Sequence, residues 1–347
     1  MDRINLLTDK ERIVLEAIVK NYILTANPVA SSHISRLNYL AYSPATIRNI
    51  MAALEEKGYI YQPHTSAGRL PTTAGYRIFV DQMMRKNRLS KIEREKIRQA
   101  ISLSSGDFEN VFRESSRILA QLSHQLSIII TPQMEEGIFH RMDLNRLNSN
   151  RLLLIITIKS GMVKSIVLEI ESGVPDKQLV SLRQLLNERL HGLKLKEIRS
   201  GFKEIIKDVP IENSTILHLF IEAADQIFSF SENKDIFVTG THHILSQPEF
   251  INSGDVLRVV EVLEDRNIIV HLLDIGESHL DTNILIGDEI ELNYLQNCSI
   301  ITARYKIGQV QGTLGILGPK RMDYAHLIPL VECTAGMLSD SYEGSWY

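Results

Sequence analysis

Between Thr8 and Gly58 the apolar residues fall at helical intervals, and the residues that interrupt them are helix starters and stoppers. Thr8 and Glu11 form a Thr-x-x-Glu capping box, opening a helix whose Val14, Ile18 and Tyr22 share a face. The Asn27-Pro28 break ends it, and Pro28–Ile34 reads as a second, short helix. The loop Asn38–Tyr42 leads to Ser43, an N-cap residue, followed by Pro44 where its fixed φ and missing N–H are tolerated. Ile47, Ile50, Met51 and Leu54 then stand at i, i+3, i+4 and i+7 and make one apolar stripe. Thr46, Arg48, Asn49 and Ala52 occupy the opposite face, and Gly58 supplies a left-handed stop after Lys57. Tyr59-Ile60-Tyr61 is a short strand, and His64-Thr65-Ser66-Ala67-Gly68-Arg69 is a polar tip before another strand. Helix, short helix, turn, capped helix, strand, basic loop, strand is the order of a helix-turn-helix with a wing, with 43–57 as the reading element. A plain three-helix unit whose polar face meets water would share the helices but not the basic loop.

Further along, the pattern alternates between helices and strands. Residues 108–130 have helical spacing, with Phe112, Leu119, Leu122 and Leu126 near one face. Arg151–Ile158 and Val163–Ile170 are strand-like, and the glycine in Lys159-Ser160-Gly161-Met162 marks a hairpin. Leu179, Leu182, Leu186 and Leu190 stripe a helix over Asp176–Leu190, and 196–230 reads as two more helices. Ile236–Thr239 is a strand and Ser253–Leu263 a helix. Ile268–Leu273, Ile284–Ile286, Cys298–Tyr305 and Val310–Leu317 are read as strands, and His326–Leu338 as a closing helix. Strands on both sides of a mostly helical middle predict an α+β domain interrupted by a helical insertion. Such an insertion serves as an interaction surface, a lid or additional core.

Charge sharpens the reading of the first quarter. Residues 1–98 carry 16 Lys and Arg against 9 Asp and Glu, a net of +7; the remaining 22 basic and 33 acidic residues give −11. A near-neutral chain thus joins a basic head to an acidic body, the electrostatic footprint of a phosphate-binding module. The acidic body also discourages non-specific adhesion to DNA. Part of the excess lies in Arg85–Arg98, which is either a phosphate-facing segment or a solvated linker helix. At 347 residues the chain has room for two or three domains, and 44% hydrophobic with 23% charged residues is an ordinary globular balance. No apolar run approaches the roughly 18–20 residues that span a bilayer. The opening MDRINLLTDKER has no secretion-signal core, and Cys298 and Cys333 make no disulfide framework. These features point to a reducing cytoplasm.

Two blocks carry a family resemblance. TIRNIMAALEEKGYIYQPHTSAGRLPTTAGYR at 46–77 and CSIITARYKIGQVQGTLGILGPKRMDY at 298–324 closely resemble the heat-inducible transcription repressor family HrcA, and FVTGTHHILSQPEF at 237–250 is similar less specifically. The resemblance spans essentially the whole chain. It implies a winged-helix domain over 1–85, a linker helix over 86–107, a GAF-like α+β domain in two parts (108–175 and 256–347), and between them a dimerising domain over 176–255. It also implies repression of chaperone operons through an inverted-repeat operator known as CIRCE, with the chaperonin GroEL keeping the repressor active. DNA-contacting residues would be Ser43, Thr46, Arg48 and Asn49 on the reading helix and His64, Thr65, Ser66 and Arg69 on the wing. Arginine suits guanine and asparagine suits adenine, whereas the wing suits phosphate or the minor groove. A dimer matches a two-fold operator. Leu182 and Leu186 on the first insertion stripe are either part of the dimer contact or internal core.

No motif along the chain has the spacing of a catalytic or ligand-binding site. Gly312-x-x-Gly315-x-x-Gly318 has the spacing of neither a dinucleotide nor a P-loop motif and suits a twisted strand with its exit turn. His242-His243 lacks metal-ligand partners at zinc spacing, and neither cysteine has a paired histidine signature. Ser66-Ala67-Gly68 is not a nucleophile elbow. No catalytic constellation, cofactor or metal is expected. Two rival functions remain: a regulator binding a small effector in its GAF-like domain, and an enzyme with a DNA-targeting module.

Overall fold

The computed structural model describes residues 7–37, 42–65, 67–102, 108–132, 134–161, 163–170, 174–208, 214–228, 235–250, 260–274, 281–292 and 295–343. The N-terminal head is built from α1 (Asp9–Thr25), α2 (Ser31–Ile34), α3 (Pro44–Glu56), β1 (Ile60–Tyr61) antiparallel to β2 (Leu70–Pro71), and α4 (Thr73–Ile78), which runs into a π turn over Phe79–Met83. The capping box at α1 forms: Glu11 N–H donates to Thr8 Oγ1 at 3.3 Å and Thr8 N–H to Glu11 Oε2 at 2.7 Å. Gly58 has φ +79°, and the turn it makes sends the chain from α3 into the wing. Val14, Leu15, Ile18, Ile34, Ile47 and Leu54 are fully buried. Each such side chain stabilises the head by about 1.5–3 kcal/mol, so packing, not helix propensity, holds it.

After α5 (Lys91–Ser102), α6 (Phe108–Ser123) leads into β3 (Leu126–Ile130). The sequence expectation of one helical stretch over 108–130 is therefore corrected. His124 at φ 53° ends the helix, and β3 is a strand buried along its whole length. A strand covered on both faces shows a continuous apolar run with no period-2 signature, hence the misreading. The chain next leaves this sheet. β4 (Phe139–Asn148), β5 (Arg151–Ile158) and β6 (Val163–Glu169) form a three-stranded sheet of their own in the order β4-β5-β6. With them go α7 (Asp176–Leu190), α8 (Leu195–Ile205), α9 (Ser214–Glu222) and α10 (Ala224–Phe228). The 151–170 hairpin, expected in the first GAF-like part, thus sits in the separate unit.

The chain rejoins the larger sheet at β7 (Ile236–Thr239), followed by α11 (Thr241–Leu245), α12 (Arg266–Asp274), β8 (Thr282–Ile286), β9 (Cys298–Ile307), β10 (Val310–Pro319) and α13 (Tyr324–Glu343). The five strands lie antiparallel in the order β7-β3-β10-β9-β8. Side chains alternate between two cores. Ile129, Ile301, Ala303, Tyr305, Leu314 and Ile316 belong to the core shared with α6 and α13. Leu126, Ile128, Ile130, Ile300 and Leu317 face Ile244 of α11 and Ile269, Leu272 and Leu273 of α12.

Ile268–Leu273, expected as a strand, is helical. Its buried residues stand at i, i+3 and i+4, and Asp265 Oδ1 accepts from the N–H groups of Asn267 at 2.9 Å and Ile268 at 3.3 Å. That N-cap outweighs the β-branched composition of the run. Of the helix expected over 253–263, residues 260–263 are helical and the rest lies outside the described residues. The same holds for 103–107 of the expected linker helix.

Candidate nucleic-acid interface

Helix α3 begins at the predicted cap. Ser43 Oγ accepts from Thr46 N–H at 3.1 Å and lies 2.9 Å from Thr46 Oγ1. Ser43 and Thr46 therefore shape the helix start as a closed polar pair. No acidic residue stands in the first turn, which leaves the positive end of the helix dipole free to meet a phosphate. Ile47, Met51 and Leu54 are buried, and Ala45, Arg48, Asn49 and Ala52 are exposed. Among the described residues neither Arg48 nor Asn49 has a side-chain hydrogen-bond or ion-pair partner. Two small alanines flank two long, unengaged hydrogen-bonding side chains, a surface that can enter a groove and read base edges.

The wing next to it is held in shape by Gln62, a residue without a local sequence signal. Gln62 Nε2 donates to Thr65 O at 3.0 Å and Ala67 O at 2.9 Å, and Ala67 N–H donates to His64 O at 2.9 Å. His64 and Thr65 are exposed on the tip; Ser66 lies outside the described residues. Arg69 departs from expectation. It stands at the wing root, where its backbone pairs with Val29, and its Nε donates to Glu55 Oε2 at 3.0 Å. Only 21% of the side chain is exposed, so it ties the wing to α3 instead of reaching outward. Gln62, Glu55 and Val29 gave no local signal because their partners are tertiary or backbone groups.

A second tie joins α3 to α1. Lys57 Nζ donates to both carboxylate oxygens of Glu11 at 2.8 Å. Burial pushes the Glu11 carboxyl up, but the hydrogen bonds from Lys57 and Thr8 outweigh it and hold the group below its ordinary value. The capping box was readable three residues apart; a lysine 46 positions away was not.

Leu182 and Leu186 are fully buried on α7, which packs on β4 and α8 within one chain, so they are core and offer no side-chain surface to a partner. The exposed apolar residues of this unit include Val163, Val167 and Leu147 on the strands. Elsewhere the space between the five-stranded sheet and α6 is filled. The ring of Phe112 lies 6.1 Å from Phe237 and 5.8 Å from Tyr305, whose hydroxyl donates to Ile130 O at 2.8 Å. Gly312, Gly315 and Gly318 lie on β10, paired with β9 on one side and, for Gly315, with β3 on the other. At the start of α11 His243 packs on His242 and on His124, and burial together with the two neighbouring imidazoles holds the His243 pKa down. Cys298 is buried and Cys333 half-buried. Among the described residues no group of three His, Cys, Asp or Glu is arranged to hold a metal ion, and no helix is long and apolar enough to cross a membrane.

Comparison with known proteins places the chain. Residues 109–328 match the family model for the HrcA protein C-terminal domain. A heat-inducible transcription repressor HrcA from Chlorobium phaeobacteroides (strain BS1) is 37% identical, over 96% of this chain and 98% of the relative. One from Geobacter sulfurreducens is 35% identical, over 97% and 99%. A crystal structure of a hypothetical protein aligns with a TM-score of 0.68 at 25% identity, over 97% of this chain and 99% of the other. The protein belongs to the HrcA family of heat-inducible transcription repressors.

Proposed function

We propose that this protein represses transcription as a homodimer bound to an inverted-repeat operator of the CIRCE type, upstream of heat-shock chaperone operons in the cytoplasm. The chaperonin GroEL is the partner that keeps it active; this part of the reading rests on the family resemblance. The observation that carries the DNA reading is the exposed, unengaged Arg48–Asn49 pair on the capped helix beside the wing. Arg48 takes a guanine edge and Asn49 an adenine edge, while the positive end of α3, His64 and Thr65 meet phosphate and set the register.

Dimerisation belongs to the inserted unit, for which we propose bounds of 134–228 in place of the expected 176–255, because β4–β6 form their own sheet and β7 pairs in the larger one. Its three-stranded sheet is covered by helices on one face only. On the other face Leu153 stands opposite Val167, Ile155 opposite Ser165 and Thr157 opposite Val163. Val163 is 51% and Val167 48% exposed, and Leu153 and Ile155 are half-buried. Among the described residues β6 is also an unpaired edge. Arg141, Asp143 and Asn145 of β4 border the same face opposite Thr157, Ile155 and Leu153, so its apolar part is a patch on β5 and β6 with a polar edge, and a second copy related by a two-fold axis covers that patch. The like-charged heads would repel and do not serve.

The test is fluorescence anisotropy on promoter fragments retained by the purified protein from its own genome. Arg48→Ala should lose about 1–3 kcal/mol of discrimination between operator and scrambled duplex with the fold intact. Full discrimination in that variant would reject this face as the reader.

A further inference from the structure

The head does not hang freely from the body. Helix α4, just past the wing, docks on the 3₁₀ turn Gly287–Glu289 that follows β8. Arg77 Nε donates to Glu289 Oε1 at 2.8 Å, its Nη2 donates to Glu289 Oε2 and to Ile284 O, and its Nη1 donates to Asp81 Oδ1 at 3.2 Å. The hydrogen bond that Arg77 donates to Glu289 heads the causes that raise its pKa, so the guanidinium stays charged. Thr73 Oγ1 donates to Asp288 Oδ2 at 3.0 Å. Beneath them the buried rings of Tyr76 and Tyr324 lie 6.1 Å apart. The two surfaces meet so closely that a Cβ at Gly287 would lie 2.6 Å from Thr73 Oγ1.

We infer that Arg77 and Glu289, with Thr73 and Asp288, are specificity-determining positioning residues: they fix the head on the body and so set the half-site spacing the dimer accepts. This rests on the dimer–operator reading above and adds to it where spacing selectivity comes from. The covalent connection alone would not set it. Lys86 Nζ donates to Glu332 Oε1 at 2.6 Å and Asn87 N–H is tied to Ala325 O at 2.7 Å, but residues 84 and 85 before them span up to about 7 Å. That slack equals roughly two base-pair steps of about 3.4 Å. A bidentate Arg–carboxylate pair has the directional rigidity that such slack lacks.

The experiment uses the full-length protein and an operator recovered from a random-sequence pool, rebuilt with one to five base pairs added or removed between half-sites. Wild type should prefer one spacing by at least tenfold. Arg77→Gln and Glu289→Gln should each flatten that preference to within about threefold, with affinity for an isolated half-site and sedimentation as a dimer unchanged. The exchange Arg77→Glu with Glu289→Arg should restore it in part, which a merely structural loss would not allow. Retained spacing selectivity in both single variants overturns the positioning role while leaving the function standing. A wild-type protein indifferent to every inverted repeat overturns the function and this inference together.

Discussion

The head and the inserted unit are built alike and left open differently. Each is a small sheet and a set of helices around a buried aliphatic core, and each keeps one face uncovered. On the head that face carries Arg48, Asn49, His64 and Thr65, hydrogen-bonding groups flanked by small residues. On the inserted unit it carries Leu153, Ile155, Val163 and Val167 on two strands, bordered by Arg141, Asp143 and Asn145 on the third. Apolar side chains bury themselves against a like surface, whereas unengaged guanidinium and amide groups need an anionic, hydrogen-bonding partner. On the proposed reading, what each core leaves over separates a nucleic-acid face from a protein face, although the two cores are chemically alike.

That contrast can be tested from either side. Leu153→Asp with Val167→Asp puts charge on the apolar face, and sedimentation should show monomers. Operator affinity should then fall by about 10²–10⁴, the avidity lost when two heads no longer act together. Leu182→Ala addresses the core side. It should cost about 2–5 kcal/mol in chemical denaturation of the inserted unit, while Val167→Ala shifts stability by no more than about 0.5 kcal/mol. A monomeric but stable Leu182→Ala protein would return that leucine to the interface.

On the head, acid should act through Glu11. Its folded pKa is depressed, so the stabilisation is complete above the ordinary value of 4.5 and is lost as pH falls through the lower folded value. Glu11→Gln should therefore flatten the acid limb of the head's unfolding curve, followed by near-ultraviolet circular dichroism. Arg69→Ala should do least. Its partly exposed pair with Glu55 is worth about 0–1 kcal/mol, and the salt slope of DNA binding should not change because the side chain is not on a phosphate. A slope lower by about one unit would put Arg69 back on the DNA.

The head was readable in the sequence because its signals are local. The Thr8–Glu11 box, the Ser43-Pro44 start, the apolar stripe through Ile47 and Leu54 and the Gly58 stop all act within one or two turns. Arg48 and Asn49 followed from that stripe by elimination. The body was read less well wherever burial on both faces erased periodicity. β3 merged into α6, and α12 resembled a strand until the Asp265 cap and the second core decided it. Sheet membership was not readable at all, because whether β5 pairs with β4 or with β3 is settled by contacts across the chain. The roles of Arg69, Gln62 and Lys57 were hidden for the same reason: their partners lie elsewhere in the fold.

Selection of bound duplexes from a random-sequence pool by the intact protein, at fixed salt, tests most directly whether paired heads read DNA. The enriched sequences should be inverted repeats with half-sites spaced by whole turns of about 10–10.5 base pairs, each bound by two protomers in sedimentation. Enrichment of a single asymmetric site bound by one protomer, or no enrichment over the starting pool, would contradict it.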